Sequence, residues 1–206
     1  MGDARISVVD YEEMPRYAGE MRGKGEELNR KLKDVYNNVS SMHECWYGKR
    51  YNELVKSFNE IIPQLNDILS LVVTEIPSTL EKVANNYSQV DRGENVTSVN
   101  NEECDRITEI AQSNDVGMRF MASNVENTKN QVKSNFENAN ANLNEIQSIF
   151  SRVNWESDAA TAFKERFNLL KNQISQSFEN LNNEFTKQVA DTINDMAATE
   201  SANTVQ

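Results

Sequence analysis

The sequence predicts an all-α protein in which two long helical hairpins form a four-helix bundle. Apolar residues recur at steps of three and four on both sides of one short break, Cys45-Trp46-Tyr47-Gly48, and this spacing places them on one stripe of an α-helix. The pattern returns in the second half of the chain, again beside a tryptophan, Trp155. Only seven glycines and three prolines occur in the 206 residues, a composition typical of long helices.

The first hairpin is predicted from the two stripes that flank Trp46. Pro63 and Pro77 should bend the second helix, but the stripe continues past both, which favours one bent helix. Helices joined by so few residues fold back on each other, with Trp46 filling the tip and Gly48 allowing the turn. The first helix is expected to end at about Met42 and the second to run from about Lys49 to about Val90, with these stripe residues: Leu28, Leu32, Val35, Val39 and Met42; then Leu54, Phe58, Ile61, Leu65, Leu69, Val72, Ile76, Leu80, Val83 and Tyr87.

The second hairpin is predicted as a copy of the first. The two halves align without a gap when Trp155 is placed on Trp46, 109 residues earlier. A shared tryptophan at a constant distance from many later apolar positions indicates duplication. Ser157 is expected to cap the last helix. In this alignment Phe58 matches Phe167, Gly48 matches Ser157, Tyr87 matches Met196, and Asp91 matches Glu200.

The chain is therefore expected to comprise a first hairpin (residues 1–91), a join (92–118) and a second hairpin (119–206). The join lacks periodicity at first, but Cys104, Ile107 and Ala111 fit a heptad. If it is extended, at about 3.3 Å per residue it can cross the bundle and permit antiparallel hairpins. If residues 104–118 are a helical extension, an up-down-up-down bundle is favoured. The sequence leaves both arrangements open.

Charge and hydropathy argue against two classes of partner. The net charge is −11 and the 21 basic residues form no cluster, so binding to nucleic acid is not expected. Pro63, Asp67 and Glu75 interrupt the apolar run 61–76, so stable membrane insertion is not expected either. The first residues lack the apolar core of a secretory leader, which predicts synthesis in the cytoplasm and, for any export, a route without a cleaved signal peptide.

Catalytic and metal-binding patterns are weak. His43 is the one histidine of the chain, and Cys45 and Cys104 are single cysteines with no CxxC motif. A general base needs a positioned and desolvated neighbour, and the carboxylates fall on outer helix faces. We therefore expect no enzymatic activity, no catalytic residues, no cofactor and no metal. The cysteines are expected to be structural, with a disulfide or a metal site as the less favoured alternatives.

The first hairpin resembles the WXG family, the early-secretory-antigen-type (ESAT-like) substrates of bacterial type VII (ESX) secretion. Trp46-Tyr47-Gly48 is similar to the Trp-X-Gly tip of the family, and Tyr87-Ser88-Gln89-Val90-Asp91 to its Tyr-X-X-X-Asp/Glu secretion signal. The resemblance covers nearly all of residues 1–91. In the copy, the tip Trp155-Glu156-Ser157 lacks the glycine, and the degenerate signal from Met196 to Glu200 lacks the tyrosine.

The resemblance implies a tandem WXG protein that is secreted or co-exported. Hairpins of this family pair into four-helix bundles and leave the cell folded, with the Trp-X-Gly of one hairpin beside the signal of the other. One chain with two hairpins can form its own pseudo-dimer, as a monomer or with halves exchanged between two chains. The implied partners are the type VII secretion ATPase and its machinery, and another WXG-like or toxin protein. The alternative is an intracellular helical scaffold or chaperone that binds another helical protein.

Overall fold

The computed structural model describes residues 7, 8 and 10–203, with Ser7 and Val8 described by their backbone alone. Residues 1–6, 9 and 204–206, at the outer ends of the two predicted hairpins, lie outside the described residues. The elements in chain order are β1 (Ser7–Val8), a 3-10 turn (Tyr11–Glu13), α1 (Met14–Ser41), a 3-10 turn (Met42–Glu44), β2 (Trp46–Tyr47), α2 (Lys49–Leu69), a π-helical segment (Ser70–Glu75), α3 (Ile76–Arg92), β3 (Arg119–Phe120), α4 (Ala122–Arg152), β4 (Trp155–Glu156) and α5 (Asp158–Asn203).

These elements confirm the predicted all-α class and the four-helix arrangement. The first hairpin consists of α1 and the helical rod α2–π–α3, and the second consists of α4 and α5. The described strands are two-residue pairs that join the ends of the hairpins. The helix predicted to continue across Pro63 and Pro77 is continuous, with a π-helical segment just before Pro77.

The two hairpins lie antiparallel, so the tip of each meets the open end of the other. Strand β2 pairs with β3, which places Trp46 opposite Phe120, and β1 pairs with β4, which places Val8 opposite Trp155. Ion pairs between the first-hairpin rod and α5 agree with this antiparallel arrangement. Arg50 binds Asp191 at 3.1 Å near the first tip, and Glu75 binds Arg166 at 2.5 Å further along the rod.

Residues 93–118, called the strap below, contain no helix and return along the first hairpin from the end of α3 to the Trp46 tip. The strap meets α3 at Asn85, whose side chain donates to the carbonyl of Thr97 at 2.9 Å. About 26 extended residues reach roughly 85 Å, more than the roughly 65 Å of the rod beside them. The structure thus has no helix at residues 104–118, and its antiparallel hairpins differ from an up-down-up-down bundle.

Three asparagines of α2 hold the strap by its backbone. Each side-chain amide donates to the carbonyl of one strap residue and accepts from the N–H of the same residue, with all six distances between 2.9 and 3.0 Å. Seven helical residues rise about 10.5 Å and three extended residues span about 10 Å, so the two chains stay in step. This asparagine ladder pairs Asn52 with Ser113, Asn59 with Ile110, and Asn66 with Ile107.

The strap covers an apolar flank of α2 that the second hairpin lacks. Ile107 and Ile110 are buried, and so are Val55 and Ile62, each one helical turn before a ladder asparagine. The copy has lysines at the positions that match Val55 and Ile62, namely Lys164 and Lys171. The additional apolar width of α2 is therefore explained by the strap that covers it.

A partly buried ion pair between Arg22 and Glu81 fixes α1, the rod and the strap together near Pro77. Because proline has no N–H, the carbonyl of Val73 lacks its α-helical donor, and Arg22 donates to it at 3.2 Å. Arg22 also binds Glu81 at 2.9 Å and the carbonyl of Asn100 at 3.1 Å, while Glu81 accepts from the N–H of Asn100. One guanidinium thus satisfies the proline site, a buried carboxylate and a strap carbonyl.

The aromatic core tests the assignment of the two stripes. Phe58 and Phe167 are 0% and 1% exposed. Phe58→Ala and Phe167→Ala are each expected to lower the free energy of unfolding by about 3–5 kcal/mol, because a fully buried aromatic ring is removed. Chemical denaturation measures the effect. The controls Lys56→Ala and Lys164→Ala, at exposed positions of the same helices, should stay within about 0.5 kcal/mol. Equal losses in all four variants would show that the core is misassigned.

Candidate functional site at the two ends of the bundle

Trp46 lies at the end of the bundle that we call the Trp46 end, where its ring is 1% exposed. The ring stacks on Phe185 of α5 with centroids 6.1 Å apart, and it meets Phe120 edge-on at 5.7 Å. Both partners belong to the second hairpin. Trp46 therefore fills the tip of its own hairpin by packing against residues of the other hairpin. It offers little surface to a further partner.

The two tips enter their second helices differently. Gly48 has φ 118° and ψ −169°, a backbone conformation that side chains disfavour, so the turn requires glycine. In the copy, the hydroxyl of Ser157 accepts the N–H of Ala160 at 3.1 Å, which is the expected N-cap. The second tip therefore has a serine that caps α5 at the position where the first tip has a glycine.

The other end, called the Trp155 end, combines the second tip with the open end of the first hairpin. Trp155 is 5% exposed, and its ring centroid lies 6.5 Å from that of Phe163. Its backbone pairs with Val8, and Tyr11 follows Val8 by only three positions, at most about 10 Å of chain. Tyr11 in turn contacts Tyr87, so the second tryptophan and the residues predicted as the secretion signal share this end.

Tyr87 and Asp91 lie on the rim of the first hairpin. The predicted stripe continued through Val83 and Tyr87, but Ala84 and Ser88 are the buried residues, and Tyr87 is only half-buried. The wider turn of the π-helical segment changes the phase of the helix and shifts the buried stripe. Tyr87 thereby reaches the edge, one helical turn from the exposed Asp91.

A cluster of ring and charge contacts surrounds these two side chains. The ring of Tyr11 is stacked on that of Tyr87, with centroids 6.5 Å apart and planes at 21°. The hydroxyl of Tyr11 donates to the carboxylate of Asp91 at 2.5 Å, and this bond is the main reason that the pKa of Tyr11 is raised. Arg92 forms an ion pair with Glu12, and its guanidinium lies 6.0 Å from the Tyr11 ring centroid.

The residues predicted as a degenerate signal lie at the opposite end of the molecule. Met196 is half-buried and Glu200 is exposed near the end of α5. Asp195, beside Met196, binds Arg50 at 3.0 Å, which places this segment at the Trp46 end. The structure therefore places Tyr87 and Asp91 at the end that holds Trp155, and Met196 and Glu200 at the end that holds Trp46.

The residues considered for metal binding or redox chemistry are separate. Cys45 and Cys104 are free thiols, and burial raises the pKa of both. His43 lies with its Nδ1 2.7 Å from the carbonyl oxygen of Ser40. Within the described residues, no group of three or more histidine, cysteine and acidic side chains is arranged to hold a metal ion. In the same part of the chain, no helix combines the length and the apolar character needed to cross a membrane.

A comparison with protein families assigns the first hairpin. The sequence model of the WXG100 family, described as proteins of 100 residues with WXG, matches residues 8–92. The first hairpin therefore matches the WXG family, while the second hairpin lies outside the matched residues and is consistent with a tandem duplication. No curated protein and no solved structure matched the chain.

The family gives a general functional setting. WXG100 proteins are associated with type VII secretion, for which they serve as substrates, and they are in general helical, non-enzymatic proteins secreted without a cleaved signal peptide. They typically pair with other WXG-like proteins. These are properties of the family, and their application to this chain is developed below.

Two features of the site were not predicted from the sequence. Tyr11 was not identified because nothing in a linear motif connects it with residues 80 positions later. The ladder asparagines Asn52, Asn59 and Asn66 were overlooked because polar residues at heptad spacing resemble a solvated helix face. Their identity was the available signal, since a side-chain amide can both donate and accept, as backbone binding requires.

The contact between Tyr11 and Asp91 is testable by titration. The bond favours the protonated phenol and raises the folded-state pKa of Tyr11 above its ordinary value of 10.0. Its stabilising effect is therefore present below pH 10.0 and is lost as the pH rises through the folded-state pKa. Asp91→Asn should lower the pKa of Tyr11, as followed by NMR of ring-labelled tyrosine. Tyr51, whose pKa burial raises to about 12, is the internal control and should not shift. An unchanged Tyr11 titration would contradict the contact.

Proposed function

We propose that the chain is a substrate or co-exported partner of a bacterial type VII secretion system, built as a fused pseudo-dimer of two WXG-like hairpins and without catalytic activity. The proposed units are residues 1–91 and 119–206, with 92–118 as their join. The observation that carries the proposal is the antiparallel arrangement, because it brings the Trp155 tip to the end of the bundle that holds Tyr87 and Asp91. The resemblance implies this juxtaposition for two hairpins that pair for export.

The contacts between the halves support the pseudo-dimer. Trp46 completes its packing with Phe120 and Phe185, both from the second hairpin. The ladder holds the strap against α2 and thereby delivers the second hairpin to the Trp46 tip. A hairpin pair tethered in this way assembles at a high effective concentration and needs no second chain.

The proposed secretion signal is Tyr87 with Asp91. Both side chains lie on one edge of α3, and the acid is exposed to solvent. We propose that the chain is synthesised in the bacterial cytoplasm and exported without a cleaved signal peptide, with the secretion ATPase and its machinery as partners. Another WXG-like or toxin protein is a further proposed partner. Neither nucleic-acid binding nor stable membrane insertion belongs to this proposal.

Export of variants tests the signal. Tyr87→Ala and Asp91→Ala are expected to stop secretion of a folded protein, because each removes an exposed or half-exposed group that a receptor can read. Met196→Ala is the matched control from the copy and should leave secretion nearly intact. The measurement compares culture supernatant with cell extract in a bacterium that carries the machinery, with and without its secretion ATPase.

The same assay separates the tips and the alternative function. Because the hairpins are antiparallel, Trp155→Ala should reduce secretion more than Trp46→Ala among variants that stay soluble and folded. Normal export of the Tyr87→Ala and Asp91→Ala variants would refute the signal. Retention of the unaltered protein inside cells with an active ATPase would favour the helical scaffold or chaperone instead.

The ladder gives a separate test of the fused pseudo-dimer. Asn59→Ala leaves the N–H and carbonyl of Ile110 without their partner and should lower the free energy of unfolding by about 1–3 kcal/mol. Asn168→Ala, the matching substitution in the copy, removes an exposed bond to Gln147 and should cost less.

Light scattering after size exclusion should show a monomer for the unaltered chain. A dimer in which the halves are exchanged would contradict the self-contained pseudo-dimer.

A further inference from the structure

Tyr11, in the opening turn of the first hairpin, contacts both residues of the proposed signal. Its ring stacks on Tyr87, and its hydroxyl donates to Asp91, 80 positions away in sequence. The two signal residues are one helical turn apart, and a single tyrosine spans that distance with its ring and its hydroxyl. The orientation of the signal therefore depends on a residue from the start of the first hairpin.

The local backbone explains why Tyr11 reaches this position. Asp10 has φ 62° and ψ 47°, a left-handed conformation that aspartate tolerates better than most residues. The N–H of Glu13 donates to the carbonyl of Asp10 at 2.9 Å and closes a 3-10 turn. This turn presents Tyr11 to α3 just before α1 begins.

The copy keeps the acid of the cluster as Glu200 but differs at the other positions, and not at the signal tyrosine alone. Placing Trp155 on Trp46 aligns Tyr11 with Phe120, which has no hydroxyl. Phe120 instead packs edge-on against Trp46. The remaining members of the first cluster, Glu12, Tyr87, Asp91 and Arg92, become Met121, Met196, Glu200 and Ser201. Both tyrosines of the cluster, Tyr11 and Tyr87, are thus replaced in the second hairpin.

We infer that Tyr11 is a positioning residue of the export signal, so that the receptor reads a surface assembled from the opening turn and the last helix of the first hairpin. The inference rests on the proposed function. Tyr11 holds the Tyr87 ring at the rim and fixes one carboxylate oxygen of Asp91, and it leaves the other oxygen for a cation of the receptor. The receptor chemistry that fits is an apolar slot for the paired rings beside a basic side chain.

This arrangement makes recognition dependent on the folded hairpin. Tyr11 meets Tyr87 and Asp91 only when the start of α1 lies against the end of α3. An unfolded chain carries the same linear motif but not the assembled surface. The signal therefore distinguishes a folded hairpin from an unfolded one.

The test compares export of full-length variants in a bacterium that carries the machinery. Tyr11→Ala should reduce the exported fraction about tenfold or more, the scale expected when a charge-assisted hydrogen bond and an aromatic contact are lost. Tyr11→Phe keeps the ring but not the hydroxyl and should be exported at a level between Tyr11→Ala and the unaltered protein. Tyr17→Ala and Tyr17→Phe are the controls, because Tyr17 is a half-buried tyrosine of α1 that contacts Arg16 and Arg152 instead.

Melting temperatures of the purified variants separate positioning from folding. The inference requires that export of Tyr11→Phe falls although its melting temperature matches that of the Tyr17→Phe variant. Export that follows melting temperature alone across these variants would overturn it. If Tyr87→Ala and Asp91→Ala stop export while both Tyr11 variants are exported normally, this inference fails and the proposed function stands. If Tyr87→Ala and Asp91→Ala are exported normally, the proposed function fails first.

Discussion

The arrangement of this molecule depends on a match of lengths between a helix and an extended chain. One heptad of helix rises about as far as three extended residues span, so Asn52, Asn59 and Asn66 can each bind a strap residue in succession. The strap must then run back along the first hairpin, and the second hairpin begins at the Trp46 tip. That starting point makes the hairpins antiparallel. The composition of each end of the bundle follows from the ladder.

Pro77 has an effect well beyond its own turn. Its missing N–H frees the carbonyl of Val73, and the partly buried Arg22 satisfies it while binding Glu81. The π-helical segment that precedes the proline changes the helical phase, so Ala84 and Ser88 enter the core in place of their neighbours. Tyr87 is consequently held at the rim, where Tyr11 can stack on it. The site thus depends on a local irregularity inside a long helix.

The helices and the duplication could be predicted because heptad spacing and the distance between Trp46 and Trp155 are local properties of the sequence. The extended strap could be given only as one of two alternatives, because Cys104, Ile107 and Ala111 fit a heptad. The three-residue spacing of Ile107 and Ile110 suits an extended chain that is bound at every third residue equally well. The shift in helical phase before Tyr87 could not be predicted for a related reason, because the apolar pattern does not distinguish a π-helical segment from an α-helix. Tyr11 depends on a tertiary contact that only the folded hairpin creates.

The differences between the two copies correspond to the different surroundings that each copy has in the fused chain. Where the strap covers α2, apolar residues widen the stripe, and the matching positions of α5, which no strap covers, are the lysines Lys164 and Lys171. Where the first hairpin carries a tyrosine in its opening turn, the copy has Phe120, which packs against Trp46. In a dimer of two identical chains, every hairpin would have the same residues at these positions and could not be adapted to two different surroundings. When both halves lie in one chain, each half always meets the same neighbour, and the two halves can differ at matching positions, as Tyr11 and Phe120 do.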